Sequence, residues 1–401
     1  MATDPFLARI DELSQDYLAA RLDRRRFIQR LLALGLTLPA ASAIVAACSS
    51  SGASPSAAAS AGPSLEPAMA ALLSAARQEG SVYLTGIPPE WANYQGMFDL
   101  WKQDVGTTID GVKTEGENTS GQELDSIKNT GKPDCGDVGF VFGDQAKAAG
   151  LLANYKHAHW ADVPANLKDA DGAWCATYYG AEAFIINTDA VTIPIADWDD
   201  LLNPALKNAV GIDGDPNKAN DSFMAVWAAA FAKGGGEDDI GPGVDFFNGL
   251  QQAGNLTPAR CSQANMLNGE VKVGIKWDYL ALGDRDKANG SPNFKVVIPK
   301  SASTAGPYVS IISAKAPHPS AARMWNELIY SDAGQLNFLK GYAHPIRYDV
   351  LNQAGKIPAD LAAKLPPAAS YANVKFVTDK AKIDAAAAKL KTLWQIVVNS
   401  S

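Results

Sequence analysis

The sequence is poor in charge and in the residues that most often carry catalysis or bind metals. Only 19% of its 401 residues are charged, and it has four cysteines and four histidines. It contains no G-x-S-x-G elbow, no H-E-x-x-H zinc helix, no G-x-x-x-x-G-K-[ST] phosphate loop and no G-x-G-x-x-G motif after a strand. With none of these motifs present, we expect a protein that is not an enzyme and that carries no cofactor.

Basic residues are fewer than acidic residues: the chain has 35 Lys and Arg and 43 Asp and Glu, which gives a net charge of -8. No basic stripe of the kind that tracks phosphates occurs after residue 30, so nucleic-acid binding is not expected. A single apolar run, residues 31–47, approaches the length of a membrane span, which excludes a multi-pass membrane protein. The chain is 47% hydrophobic and can bury a large core.

Two short patterns begin like metal sites and are incomplete. His157 and His159 are spaced to chelate a metal, but no nearby residues complete a ligand set. Asp213 to Asn217 starts like a calcium loop, yet Lys218 stands where the sharp turn needs glycine. We therefore expect no metal site.

The N-terminal segment, residues 1–47, has the layout of an export signal: basic residues, an apolar stretch, then small residues before Cys48. The run that starts at Arg24 and Arg25 (RRRFIQ) resembles the twin-arginine signal, and both the Tat and the Sec route stay open. Residues 45–48 (VAAC) resemble a bacterial lipobox, which makes Cys48 the predicted lipidated first residue of the mature protein.

Residues 49–64 contain only Ser, Gly, Ala and Pro, so residues 48–64 are predicted to be a lipidated cysteine with a flexible linker. Such a layout is typical of a globular body held at a membrane surface by its lipid anchor. Removing residues 1–47 takes away six basic and five acidic residues, which leaves a net charge of -9 that favours cations.

Three cysteines remain if Cys48 is acylated, namely Cys135, Cys175 and Cys261. An odd number allows one bridge at most. A bridge between Cys135 and Cys175 and three buried free thiols are equally open interpretations.

Helical stretches alternate with short β-rich runs from residue 66 onward. The predicted strands are 81–85, 106–112, 136–142, 183–187, 210–213, 271–277, 294–299 and 308–312. The predicted helices are 66–79, 97–105, 144–149, 222–232 and 244–253, and helices dominate after residue 320. This alternation predicts an α/β fold in two lobes, each a mostly parallel sheet flanked by helices.

Aromatic and acidic residues stand at the strand ends and in the loops beyond them, where ligands bind in open α/β sheets. The candidate ligand-binding residues are Trp91, Tyr94, Asp213, Asp215, Asp221, Trp277, Asp278, Tyr279 and Tyr308. Asp221 has an alternative role as a helix cap. Four other tryptophans occur in apolar contexts and are predicted to be core residues, namely Trp101, Trp198, Trp227 and Trp325.

Five segments carry a family resemblance through their order and spacing. They are 174–189, 198–204 (WDDLLNP), 268–271 (NGEV), 316–322 (APHPSAA) and 331–335 (SDAGQ). Together they resemble the solute-binding lipoproteins of bacterial ABC importers, in the group of ferric-iron, polyamine, thiamine and phosphonate receptors.

The resemblance implies a periplasmic-binding-protein-like type II fold whose two lobes close on a ligand by a hinge movement. It implies lobe 1 at 65–180 plus 308–350 and lobe 2 at 181–307 plus 351–401. It also implies a monomer that is lipid-anchored outside the cytoplasm and delivers its ligand, chemically unchanged, to a permease and an ATPase.

For the ligand, the resemblance favours a polyamine-like organic cation. Ferric-binding relatives have two adjacent tyrosines where this chain has Trp277-Asp278-Tyr279, whereas polyamine-binding relatives have a tryptophan there. Trp91 and Tyr94 resemble the aromatic wall of those relatives. Ferric iron and a phosphonate or sugar phosphate stay open as alternatives. The anions would use some of Ser222, Ser303, Thr304, Arg285 and Arg347. An alternative of another class is a secreted lipoprotein hydrolase.

Overall fold

The computed structural model describes residues 65–112 and 119–399 and three isolated positions before them, 13, 26 and 30. Leu65–Ser401 is one compact unit. Arg24, Arg25, Cys48 and the linker up to residue 64 lie outside the described residues. Among the described residues, no helix combines the length and the apolar character that crossing a bilayer requires.

The N-terminal part of the unit alternates helices with parallel strands. Its elements are α1 (Leu65–Glu79), β1 (Ser81–Thr85), α2 (Tyr94–Asp104), β2 (Thr108–Asp110), α3 (Ser120–Thr130), β3 (Cys135–Gly139) and α4 (Phe140–Ala148). β1 lies between β2 and β3 and runs parallel to both. Gly80 ends α1 in the left-handed region, at a φ of 82°, so β1 begins directly after the helix.

The middle of the chain repeats this alternation. Its elements are β4 (Trp174–Asn187), β5 (Val210–Ile212), α5 (Asn220–Ala232), α6 (Gly241–Gln252), α7 (Gln263–Leu267), β6 (Val273–Trp277), α8 (Asp278–Ala288), β7 (Phe294–Val297) and β8 (Ser303–Ile312). β5 pairs in parallel with β6, and both β6 and β7 pair with β4. Every residue of α5 from Asn220 to Ala230 is buried, so this helix is covered on every side.

The C-terminal part is mostly helical. Its elements are α9 (Pro319–Tyr330), α10 (Asp332–Lys340), β9 (His344–Pro345), α11 (Tyr348–Gln353), α12 (Ala359–Ala362), β10 (Val374–Phe376) and α13 (Lys380–Asn399). α9 packs against α1, and α13 packs against α6. β9 and β10 are short strands that pair with β4 and β8 respectively.

Two long strands, β4 and β8, connect the two parts of the sheet. From Trp174 to Ala181, β4 pairs with β8, and from Glu182 to Ile186 it pairs with β6. The strand order is β2-β1-β3-β8-β4-β6-β5. The lobe boundaries drawn from the sequence stay a prediction.

The sheet is more mixed in direction than the sequence analysis predicted. Among the described strands, four pairs are parallel, and the remaining five, all of which involve β4 or β8, are antiparallel. The α/β alternation predicts the parallel pairs, because each of them joins strands separated by a helix. The direction of the long connecting strands depends on pairing between segments more than 80 residues apart, which local periodicity does not encode.

Most predicted elements are confirmed, with shifted ends. Strand 81–85 agrees with β1, whereas β4 begins at Trp174 rather than at 183. The prediction of one strand over 136–142 is wrong in its last part, because α4 begins at Phe140. Phe140 packs edge-on against Trp174, with the ring centroids 5.2 Å apart. A short apolar run does not distinguish a buried strand from a buried helix turn.

The four tryptophans predicted to be core residues are confirmed as such. Trp101, Trp198 and Trp227 are fully buried, and Trp325 is 1% exposed. The Trp198 indole N–H donates to the Ala302 carbonyl at 2.9 Å, and the Trp227 indole N–H donates to the Gly236 carbonyl at 2.9 Å. These bonds satisfy the polar atom that each buried indole carries.

The bridge between Cys135 and Cys175 does not form, since both thiols are free and buried, as is Cys261. Cys135 on β3 pairs with Ile312 of β8, while Cys175 on β4 pairs with Ser310 on the other side of β8. Two strand spacings of about 4.8 Å separate them, which exceeds the Cα separation of about 7 Å that a disulfide can span. The alternative interpretation, buried free thiols, is the correct one.

Candidate functional site

A small cavity of about 60 Å³ lies where β1, β3 and β5 end. Residues 86–88, which follow β1, form one side of it, and Asp137 of β3 forms another. Asp213, which follows β5, and the first residues of α3 and α5 complete the lining. The cavity is therefore at the carboxyl ends of parallel strands, where ligands bind in open α/β sheets.

The aromatic wall of the cavity consists of Trp91 and Tyr308. Their rings meet edge to face with centroids 6.0 Å apart. Trp277 stands outside the lining, because its indole N–H donates to the Tyr308 hydroxyl at 3.4 Å and its ring covers Gly306, where a β-carbon would overlap it. Trp277 thus supports Tyr308 from outside the cavity.

Asp137 is a buried carboxyl group of the cavity with an incomplete set of hydrogen bonds. It is 3% exposed, and its Oδ2 accepts a hydrogen bond from the Tyr178 hydroxyl at 2.8 Å. Its Oδ1 is buried and has no hydrogen-bond partner among the described residues. Burial raises the pKa of Asp137 to about 8, although hydrogen bonds from Tyr178 and Tyr94 act in the opposite direction.

Two more carboxyl groups come from the loop after β5 and the start of α5. Asp213 forms an ion pair with Arg260, with Oδ1 2.6 Å from Nε. Asp221 accepts from the Trp277 backbone N–H at 3.1 Å through Oδ2, and its Oδ1 has no partner among the described residues. Burial, followed by the nearby charge of Asp213, raises the pKa of Asp221 well above its usual value.

Glu182, on β4, lies close to this group without lining the cavity. It is fully buried, and neither oxygen of its carboxyl group has a hydrogen-bond partner in the described part of the chain. Burial raises the pKa of Glu182 well above its usual value, and the charges of Asp221, Asp278 and Asp213 act in the same direction. A carboxyl group in this setting keeps its proton near neutral pH.

The lining as a whole contains more acidic than basic side chains. Its acidic members are Glu123, Asp137, Asp213 and Asp221, and its basic members are Lys218 and Arg260. Arg260 is engaged by Asp213, and the ammonium group of Lys218 lies 3.5 Å from Asp215. The cavity therefore offers a cation several oxygen ligands from carboxyl groups.

Two helix N-termini also point at the cavity, those of α3 and α5. At α3, the Ser120 hydroxyl accepts from the Gly139 backbone N–H at 3.0 Å. At α5, the residue before the helix, Ala219, supplies no capping side chain, and the buried Asn220 amide has no partner among the described residues. Backbone N–H groups at helix N-termini favour anions, so this side of the cavity has the opposite preference.

Of the nine residues predicted to bind ligand, the structure brings four together around the cavity: Trp91, Asp213, Asp221 and Tyr308. Tyr94 is buried against Phe338 and Tyr178 instead. Asp215 is partly exposed and binds the Asn217 backbone N–H at 3.0 Å.

The other three are the last residue of β6 and the two residues after it, and they are fully or almost fully buried. Trp277 packs behind Tyr308, as described above. The carboxylate of Asp278 accepts from the Tyr371 hydroxyl at 2.8 Å and lies 3.0 Å from His344 Nε2. Tyr279 is 1% exposed, and its hydroxyl has no partner among the described residues.

Asp137, Glu123 and Asn220 also line the cavity and were not among the predicted residues. One signal was available for Asp137, which is the single charged residue in the otherwise apolar run 135–142. Glu123 approaches the backbone at Gly86, which has a φ of 69° and no room for a β-carbon beside the Glu123 carboxylate. No local pattern identifies Glu123 or Asn220, because helix N-terminal residues of this kind are common throughout proteins.

Metal ligands are not gathered in the described residues, where no group of three or more His, Cys, Asp or Glu side chains could hold a metal ion. His157 is stacked on Tyr330 with ring centroids 3.6 Å apart. His159 binds Asp162 at 3.2 Å, so the two histidines do not act as a pair.

Comparison with known protein families identifies the chain. One family profile matches residues 137–380, which is more than half of the sequence, and its description is bacterial extracellular solute-binding protein. The chain belongs to this family. The description agrees with the extracytoplasmic location predicted from the sequence.

Solved structures of solute-binding proteins share the fold of this chain. The periplasmic binding protein AfuA of Actinobacillus pleuropneumoniae, with fructose-6-phosphate bound, is 17% identical, with a TM-score of 0.61, over 80% of this chain and 97% of that one. Iron-bound HitA of Pseudomonas aeruginosa is 18% identical, with a TM-score of 0.59, over 79% and 99%. The spermidine/putrescine transporter protein PotD of Streptococcus pneumoniae is 14% identical, with a TM-score of 0.55, over 79% and 99%.

The resemblance to solute-binding proteins and the α/β periplasmic-binding-protein fold are thus confirmed. These three structures are of proteins with different named solutes, fructose-6-phosphate, iron and spermidine or putrescine, at similar and low identity to this chain. The fold therefore leaves the ligand to be argued from the cavity itself.

Proposed function

We propose that this solute-binding protein captures a small organic cation, of the polyamine class, and delivers it to the permease of an ABC importer. The observation that carries the proposal is the excess of buried carboxyl groups in the cavity beside the aromatic pair Trp91 and Tyr308. Ammonium groups bind well to carboxylates and to the faces of aromatic rings. The net charge of -8 favours the approach of a cation.

The contacts available are strong enough for a receptor. A desolvated cation over a tryptophan face contributes about 2 kcal/mol, and each hydrogen bond to a charged group about 1.5–3 kcal/mol. One aromatic contact with Trp91 and two carboxylate contacts, with Asp137 and Asp221, therefore contribute about 5–8 kcal/mol. Such a sum corresponds to dissociation constants between about millimolar and micromolar at a pH where both carboxyl groups ionise on binding.

The size of the cavity matches one end of such a ligand. A buried water needs about 10–15 Å³, so the cavity of about 60 Å³ has room for about four to six waters, or one ammonium group with its methylene carbons. Trp91 also lines a second cavity of about 280 Å³, together with Glu90, Tyr279 and Tyr342. We propose that the remainder of a longer ligand passes Trp91 into this second cavity.

A phosphonate or sugar phosphate is the second candidate, supported by the N-termini of α3 and α5 and by Arg260. We rank it below the cation because Glu123, Asp137, Asp213 and Asp221 would face the anion in the same small space. Ferric iron has less support. It prefers phenolate ligands, and burial raises the pKa of Tyr308 well above its usual value.

The hydrolase, which is the candidate function of another class, would need a nucleophile beside a base, and one such arrangement occurs in the described residues. Ser81 Oγ lies 3.4 Å from His318 Nε2, and His318 Nδ1 lies 2.8 Å from Asp134. The first distance exceeds the usual 2.6–3.2 Å between a nucleophile and its base. The backbone N–H groups of the adjoining α9 N-terminus bind Glu79 rather than a developing oxyanion. We assign these residues a structural role.

The partners and location follow from the proposed role. An importer requires a permease and an ATPase, and export with lipidation at Cys48 would hold a monomeric receptor close to them. Incorporation of labelled fatty acid tests the anchor, with Cys48→Ala as the variant that should stay unlabelled. Replacement of Arg24 and Arg25 by two lysines tests the Tat route. Export should stop if the Tat route is used and continue if the Sec route is used, because the Sec route tolerates that change.

Tryptophan fluorescence titration tests the ligand class. We expect putrescine, spermidine or thiamine to change the emission at micromolar concentration, and fructose 6-phosphate, 2-aminoethylphosphonate and ferric citrate to have no effect. The change should be reduced in Trp91→Phe. It should persist in Trp160→Phe, since Trp160 packs on His157 outside the cavity lining. A response to the anions or to ferric citrate with none to the cations would overturn the assignment.

A further inference from the structure

Within the described residues, three buried carboxyl groups in the cavity or beside it accept no hydrogen bond from a basic side chain. Asp137 accepts from the Tyr178 hydroxyl, and Asp221 accepts from a backbone N–H, each through one oxygen. Their second oxygens, and both oxygens of Glu182, have no partner in the described part of the chain. Leaving an ionised carboxylate in such a setting is costly, and the usual outcome is that the group keeps its proton.

The groups facing Asp137 do not change this balance. From α2, β4, α8, β8 and α9 they are phenols, namely Tyr94, Tyr178, Tyr279, Tyr308 and Tyr330. From α3, Glu123 lines the same cavity and adds a further carboxyl group. Burial, opposed only by tyrosine hydrogen bonds, accordingly raises the pKa of Asp137 to about 8.

The surroundings of Asp221 include two cations that are already engaged. Arg260 is ion-paired with Asp213, and the buried Lys276 is ion-paired with Asp284 at 2.9 Å. The other titratable groups that face Asp221 are acidic, phenolic or thiol groups, namely Asp213, Glu182, Tyr279, Tyr308 and Cys261. Asp278 also faces Glu182 and is bound by His344 and Tyr371. The net effect on Asp221 and Glu182 is a raised pKa at both.

We propose that a cation entering this cavity displaces protons from Asp137 and Asp221 into the solvent, so that cation capture and proton release are one coupled event. The inference rests on the proposed function, because it requires that the ligand be a cation. The carboxyl protons leave to the buffer, and the ammonium group takes their place as hydrogen-bond donor. The empty cavity is then close to neutral, and it becomes negatively charged only when a cation is present to stabilise the charge.

The coupling makes affinity depend on pH in a defined direction. For each proton released, the dissociation constant falls about tenfold per pH unit as long as the pH is below the pKa of the carboxyl group in the empty protein. We therefore expect spermidine to bind about 10-fold to 100-fold more tightly at pH 7 than at pH 6, for one or two protons. An anion held at the helix N-termini would leave the protons in place, and its affinity would not improve as the pH rises.

Isothermal titration calorimetry of the mature protein tests the inference. Putrescine and spermidine are titrated at pH 7 in phosphate, HEPES and Tris, which differ in ionisation enthalpy. The slope of the binding enthalpy against the ionisation enthalpy of the buffer gives the number of protons released or taken up. We expect about one to two protons released per cation. Binding with no proton exchange, or with proton uptake, would refute the coupling and leave the proposed function intact. Failure of both cations to bind would refute both.

Variants assign the protons to their groups. Asp137→Asn keeps the shape of a protonated carboxyl group and cannot release a proton, so the count should fall by about one and the pH dependence should weaken. Asp221→Asn is the second variant and keeps the assignment testable if the first fails to fold. Asp238→Asn is the matched control, because Asp238 is 84% exposed, and it should leave both the count and the affinity unchanged. An unchanged count in both cavity variants would contradict the assignment.

Discussion

Replacing Asp137 by asparagine should stabilise the empty protein, by an amount that grows with pH. An unfolded aspartate titrates near pH 3.9, whereas the pKa of Asp137 in the folded protein is about 8. The unfolded chain therefore loses the proton first as the pH rises. Each pH unit between these two values lowers the free energy of unfolding by about 1.4 kcal/mol through this residue.

The magnitude at neutral pH follows from that difference. Between pH 4 and pH 7 the contribution of Asp137 amounts to about 4 kcal/mol, an upper limit because the neighbouring groups share the same burial. Asp137→Asn removes the titration while its side-chain oxygen can still accept from the Tyr178 hydroxyl, which is 2.8 Å away in the native protein. The variant should thus resemble the native protein in stability at pH 4.5 and exceed it by up to about 3–4 kcal/mol at pH 7.

Urea unfolding followed by circular dichroism measures this difference. The native protein, Asp137→Asn and the exposed control Asp238→Asn are unfolded at pH 4.5, 5.5, 6.5 and 7.5, and the differences in free energy are plotted against pH. The reasoning predicts a rising difference for Asp137→Asn and a flat one for the control. The reasoning would be refuted if the difference in free energy of unfolding were flat for both variants, or if the native protein became more stable relative to Asp137→Asn as the pH rises. Either result would show that Asp137 is ionised in the folded protein.

Three further perturbations have expected outcomes. Trp91→Ala should weaken cation binding by about 2 kcal/mol, or about 30-fold, in a calorimetric titration, while a fold-change below about twofold would remove Trp91 from the site. Gly306→Ala should lower the stability by about 1–3 kcal/mol, seen in the melting temperature, because its β-carbon would overlap the buried Trp277 ring; an unchanged melting temperature would contradict this packing. Burial lowers the pKa of His157 to about 3, so the unfolded chain takes up a proton at this residue first as the pH falls. The folded protein should therefore lose stability between about pH 6.5 and pH 3, and His157→Phe should reduce that loss in urea titrations at acid pH. An NMR signal of the His157 imidazole that titrates near pH 6.5 would contradict this prediction.

Much of the fold could be predicted from local sequence pattern. The helix that ends at Glu79, the left-handed glycine after it and strand 81–85 follow from periodicity and from a glycine stop signal. The full length of β4 was not predictable in this way. Its 14 residues include Thr177, Gly180 and Glu182, which interrupt the apolar pattern, and its successive parts pair with β8 and β6, which come from distant segments of the chain.

The candidate site was predictable only in part. The rule that ligands bind beyond strand ends selected Trp91, Asp213, Asp221 and Tyr308, which line the cavity. The same rule also selected Trp277 and Tyr279, which are buried because Gly180 and Gly306 on the connecting strands leave room for their rings. Asp137 was missed because its importance comes from its burial beside tyrosines of α2 and β4, which only the folded sheet brings together. Contacts between distant segments decided which strand-end residues reach the cavity.

Native mass spectrometry of the protein purified from its own host tests the central claim most directly. Spraying the folded protein without denaturation preserves a captured solute, and collisional release then gives its mass and charge. Our account predicts a complex with a small organic cation whose signal disappears in Asp137→Asn combined with Asp221→Asn. Recovery of a phosphorylated solute or of iron, from a protein that ignores added putrescine and spermidine, would contradict it.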